Sequence, residues 1–66
     1  APIRRAMMIA YAAYTDNKPL LMEHNKALLQ AAPAFIPSLF RGENKIFEQK
    51  EHTEILLEGL RKAGFG

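Results

Sequence analysis

The chain has no cysteine, and at 66 residues that absence constrains its folding more than any other feature. A domain this short buries only about 60% of the surface its unfolded chain exposes, so its stability margin is small. Natural scaffolds of this size commonly add disulfides, a bound metal or oligomerisation. Without thiols, disulfides and thiolate metal sites are excluded, and a partner or self-association becomes the expected source of the missing stability. A chain without thiols is tolerated in any redox compartment, so the absence does not locate the protein.

Apolar residues make up 48% of the chain, too large a share for a disordered segment. Ten Ala, eight Leu, five Ile and three Met supply most of them, with no Val and no Trp. Ala, Leu and Met are strong helix formers, and the commonest β-branched strand former is missing. The expected fold is therefore all-α, one small domain over residues 1–66, with no internal repeat or linker.

Pro2 suits a first helical turn, and nothing breaks the pattern from Ile3 to Tyr14. Ile3, Met7, Ala10 and Tyr14 share a stripe, while Met8, Ile9 and Ala12 cover the other side, so helix one (about 3–14) is apolar nearly all round. Asp16 or Asn17 is the expected N-cap of helix two (about 19–32), with Pro19 in its first turn. Its apolar face combines Leu21, Leu28 and Ala32 with Leu20, Ala27 and Ala31, and Glu23, Asn25, Lys26 and Gln30 form the wetter side. The short connection favours an antiparallel αα-hairpin.

Pro33 ends helix two, and Pro37 disfavours a helical Ile36. Residues 33–40 therefore read as a Pro-interrupted connector, yet one carrying Phe35, Ile36, Leu39 and Phe40. A longer amphipathic helix three is expected over about 45–63, capped by Asn44. Ile46, Phe47, Leu56, Leu57, Leu60 and Ala63 form its buried side, and Glu48, Glu51, His52, Glu58 and Lys62 its exposed one. Gly59 weakens it by about 1 kcal/mol relative to Ala. At its end, Gly64 at C′ predicts a Schellman motif in which Phe65 touches Leu60.

The chemistry-bearing residues are sparse. His24 lies between Leu20, Leu21 and Leu28 without a second ligand at usable spacing, which favours a boundary histidine bonded to a neighbouring helix over a cofactor ligand. His52 would share a helix face with Glu48, but the Glu-x-x-His pairs of di-iron bundles and the His-Glu-x-x-His motif are absent. Ser38, Thr15 and Thr53 lie in no nucleophile elbow, and the four glycines form no phosphate-binding loop. No catalytic, cofactor or metal site is expected, and the chain is not expected to be an enzyme or to take a small-molecule substrate.

The apolar surplus points instead to a partner interface. Met7, Met8, Tyr11 and Tyr14, with Phe35, Ile36, Leu39 and Phe40, exceed what three short helices need for one core, and Met and aromatics are enriched at interfaces. The segment 35–40 serves equally well as a lid folded back on the hairpin, or is divided between the two roles. The leading expectation is a non-catalytic structural or accessory subunit, associating with other chains or with itself.

A second reading is a membrane-surface helix protein, from the acid-free start with Arg4 and Arg5 beside Met7, Met8, Ile9, Tyr11 and Tyr14. The longest apolar run, Ala6 to Tyr14, spans roughly 14 Å as a helix against about 30 Å of hydrocarbon, so no transmembrane helix is expected. The same start has the make-up of an amphipathic targeting segment, and Ala1-Pro2 is consistent with removal of an initiator Met. An intracellular or organellar setting is expected over a secreted one. A third reading, nucleic-acid binding, draws on an isoelectric point of about 9.2, but a net charge of +2 is too small to claim an electrostatic partner, the cations are scattered and no helix-turn-helix pattern appears. The charge is divided unevenly. Residues 1–42 hold five cations against two acids (+3), and residues 43–66 hold four cations against five Glu (−1).

Overall fold

Pro2 occupies the first turn of α1 (Pro2–Tyr14), where its missing N–H has no intrahelical partner to lose. The computed structural model describes residues 1–43 and 47–66. α1 stops at Asp16, whose φ of 55° takes the backbone into the left-handed region. The Asp16 amide donates to the Ala13 carbonyl (3.3 Å) and the Asn17 amide to the Ala12 carbonyl (2.8 Å), which together make a Schellman motif without glycine. Asn17 also opens the next helix. Its side-chain oxygen accepts from the Leu20 amide at 3.2 Å, as expected of an N-cap, and α2 runs Lys18–Ala31.

α2 packs along α1 as the expected helical hairpin. It ends at Ala32, before Pro33. The segment read as a connector then forms a short helix, α3 (Phe35–Phe40). Pro37 is its third residue, and the first turn of a helix has amides with no intrahelical acceptor, so proline removes no bond there. The helical turn sets Ile36 and Leu39 three residues apart on one face, and both are buried in the core. That burial outweighs the preference of a pre-proline residue for extended backbone. The Ser38 hydroxyl donates to the Phe35 carbonyl at 2.6 Å, and Gly42, at φ 73°, closes the helix with amide bonds from Gly42 to Leu39 and from Glu43 to Ser38.

The last helix, α4 (Lys50–Lys62), begins later than its sequence pattern suggests. The expected cap Asn44, the first turn at Lys45 and the buried Ile46 lie outside the described residues. Phe47, Glu48 and Gln49 are described and are not helical, with Gln49 extended at the N-cap position and offering no side-chain cap. Glu48 and His52 therefore do not share a helix face. The far end is as expected. Gly64 (φ 105°) donates to Arg61 and Phe65 to Leu60, each at 3.0 Å, and Phe65 packs against the core that holds Leu60. Among the described residues, three of the four helices thus end through the same left-handed closure.

α1 is the shared element, packing against both α2 and α4. Ala6, Ile9 and Ala10 of α1 meet Leu28 of α2, Ile36 and Leu39 of α3, and Leu56 and Leu60 of α4 in one core. The radius of gyration is 10.8 Å, matching the roughly 11 Å of a compact chain this long, so the helices close into a bundle. Asn25, expected on the wet side of α2, is half-buried, and its Oδ1 is enclosed without a hydrogen-bond partner among the described residues.

Candidate functional site

Gly59 sets the geometry between α1 and α4. A Cβ at this position would stand 2.6 Å from the Ala10 Cβ, 3.0 Å from the Ala10 Cα and 2.8 Å from the Tyr14 ring. Only hydrogen fits, so the two backbones approach closely. Tyr14 then clips the helices together, its hydroxyl donating to the Ile55 carbonyl at 2.9 Å while the Lys62 ammonium sits 5.9 Å from its ring centroid.

Beside this close contact the helices diverge into a groove of about 270 Å³ with almost wholly apolar walls. Met7, Ala10, Tyr11 and Tyr14 line the α1 side. Ile55, Leu56 and His52 line the α4 side, and Phe47 closes one end with its ring set edge-on to His52 (centroids 6.0 Å apart, planes at 88°). Four of its large apolar side chains are open to solvent: Met7 is 42% exposed, Tyr11 57%, Tyr14 45% and Ile55 60%, while Leu56 is buried and Phe47 half-buried.

The structure divides the eight residues expected at a partner interface. Met7, Tyr11 and Tyr14 meet in the groove. Met8 is half-buried on another face, in a shallow depression with Ala1, Arg4, Arg5 and His24. Ile36 and Leu39 are core, and Phe35 and Phe40 are half-buried against it, with the Arg61 guanidinium 5.6 Å from the Phe40 ring centroid. These four side chains of the segment 35–40 thus pack on or into the core. Ile55 was missed by the sequence reading. Its signal was an isoleucine at i+4 from Glu51 and i−3 from Glu58, an apolar residue on an otherwise charged stripe.

The titratable groups are peripheral. Arg5 Nη1 lies 2.9 Å from His24 Nδ1, and since guanidinium only donates, the imidazole accepts on Nδ1 and ties α1 to α2. The Arg41 guanidinium grips the Glu43 carboxylate through two bonds of 2.7 and 3.0 Å. Those hydrogen bonds hold the Glu43 carboxyl below its ordinary range and raise Arg41. Among the described residues no three acidic or imidazole side chains converge as a metal site would require, and no helix is long and apolar enough to cross a membrane. Comparison of the chain with protein-family models, with curated proteins and with solved structures finds no match.

Proposed function

We propose that the protein is a non-catalytic structural or accessory subunit that packs into a larger assembly through the α1/α4 groove. The observation that carries this reading is the gathering of Met7, Tyr11, Tyr14 and Ile55, all solvent-exposed, along one apolar furrow. Covering these four side chains would remove apolar area from water at roughly 25 cal/mol per Å², the kind of gain a short, unstapled bundle lacks on its own.

The test is sedimentation of the isolated chain, with binding of an anilinonaphthalene dye to the same samples. The wild-type chain should associate or bind dye, and Tyr11→Asp with Ile55→Asp should abolish both while leaving the helical circular dichroism unchanged. A soluble monomer that binds no dye would overturn the reading. Docking on an anionic membrane surface is the second reading, supported by the depression that Arg4 and Arg5 form with Met8. It is the weaker one, because Ile9 is fully buried and Met7 and Tyr11 belong to a different face. Vesicle partition that fell on Arg4→Glu with Arg5→Glu would favour it.

A further inference from the structure

Among the described residues six large apolar side chains are exposed, and the groove accounts for only four of them. The other two, Met22 (68% exposed) and Leu29 (52%), both lie on α2. At 100° per residue they fall within about 20° of each other on the helix, seven residues or roughly 10 Å apart. Lys18 and Lys26 stand four residues either side of Met22, within about 40° of it on the same outward stripe. Both lysines are exposed and neither is in an ion pair among the described residues. The outer face of α2 is thus a basic amphipathic ridge with two apolar anchors.

The groove has the complementary form. Met7 and Tyr14 are also seven residues apart, again roughly 10 Å. No charged residue lies on α1 between Arg5 and Tyr14. On the α4 side the outer rim carries Glu51 and Glu58, at i−4 and i+3 from Ile55, both exposed, with Lys62 beyond them against the Tyr14 ring. Glu51 has no ion pair among the described residues, and Glu58 has only a long contact to Arg61, 3.5 Å. Met22 and Leu29 are exposed in the same molecule as Met7, Tyr11, Tyr14 and Ile55, so the ridge and the groove do not cover each other within one copy.

Resting on the reading of the groove as a docking surface, we infer that its occupant is the outer face of α2 from a second copy of this chain. Met22 and Leu29 of one copy enter between α1 and α4 of the next, and Lys18 and Lys26 face Glu51 and Glu58. Two different faces meet, so the contact is head-to-tail and repeats into an open chain or a closed ring. The apolar anchors supply the affinity, and the charge pairs fix the register and make the association sensitive to salt.

The experiment is sedimentation of the full chain against concentration, with Met22→Asp and Ile55→Asp as variants at exposed positions. Each alone should weaken self-association by about tenfold or more, since each carries a charge into an apolar contact. Mixed one to one, they should form a dimer and nothing larger, because each retains the face that the other has lost. Lys18→Glu with Lys26→Glu should also dissociate the assembly, and adding Glu51→Lys with Glu58→Lys should restore it.

Three results would overturn the inference: a chain monomeric at every concentration, association indifferent to Met22→Asp, or a mixture of the two variants that stays monomeric. A monomer whose dye binding is still lost on Ile55→Asp would overturn the self-docking alone and leave the groove as a surface for another protein. A monomer that binds no dye would overturn both.

Discussion

Gly59→Ala separates helix propensity from tertiary packing, because the two predict opposite signs. Alanine in place of an interior helical glycine gains about 1 kcal/mol from propensity. The added methyl would stand 2.6 Å from the Ala10 Cβ and 3.0 Å from the Ala10 Cα, where ordinary carbon contacts are about 3.5–4.0 Å. Ala10 has no rotamer to change and its Cα is backbone, so relief requires α4 to move out by roughly 1 Å. Tyr14, 2.8 Å from the same point, is held by its bond to Ile55. The shift loosens Leu56 and Leu60 from Ala6, Ile9 and Ala10, and overpacking of this kind costs about 1–3 kcal/mol. With no soft neighbour the upper half of that range applies, which leaves a net loss of about 1–2 kcal/mol after the propensity gain. In a domain this small each kcal/mol lowers Tm by about 4–8 °C.

Urea denaturation followed by circular dichroism measures the loss, and a double-mutant cycle with Ala10→Gly identifies its cause. Removing the Ala10 methyl vacates the space that the new methyl needs, so the double variant should be more stable than the sum of the singles by about 0.5–3 kcal/mol. A Gly59→Ala variant that gains about 1 kcal/mol, or a cycle that closes additively, would refute the close-contact argument.

Three further predictions concern positions far from that contact. Asp16→Gly should stabilise the chain by up to about 1 kcal/mol, because the left-handed closure of α1 (φ 55°) costs a residue with a Cβ about 1–2 kcal/mol and the added unfolded-chain entropy of glycine offsets part of the relief; an unchanged denaturation midpoint would count against it. Glu43 should titrate below the ordinary glutamate range when followed by NMR, and Arg41→Gln should return it to that range. Since its folded carboxyl is depressed, the small stabilisation is complete above the unfolded pKa and is lost as pH falls through the folded value; a midpoint indifferent to Arg41→Gln would refute the assignment. Asn25→Leu should raise stability by about 1 kcal/mol or more, by removing an enclosed oxygen without a partner and improving helix propensity; a loss on denaturation would show that the amide is satisfied.

Local signals in the sequence located the start of α2 and the end of α4, but not the start of α4. A cap at Asp16 or Asn17 and the Gly64–Phe65 closure on Leu60 each depend on hydrogen bonds that span no more than five residues, and Pro19 suits the first turn because it has no amide to satisfy there. The closure at Asp16 escaped notice because aspartate seldom takes the conformation that glycine adopts freely. The groove was half legible, since Met7, Tyr11 and Tyr14 stood out as surplus apolar residues while Ile55 was hidden among glutamates.

By itself the sequence determined that the chain is all-helical and that α1 and α2 form a hairpin. These follow from propensity, capping and periodicity, which act within a turn or two of helix and need no neighbour. Only the tertiary structure decided that residues 35–40 coil into a helix, that α4 starts at Lys50, and which of the surplus apolar residues remain outside. It also reversed the meaning of Gly59, from a weak point in a helix to the position that lets α4 lie against α1. The physical reason is common to all four. Hydrophobic burial is non-directional, so an apolar side chain has no assigned place until distant elements have packed and the remaining space is set.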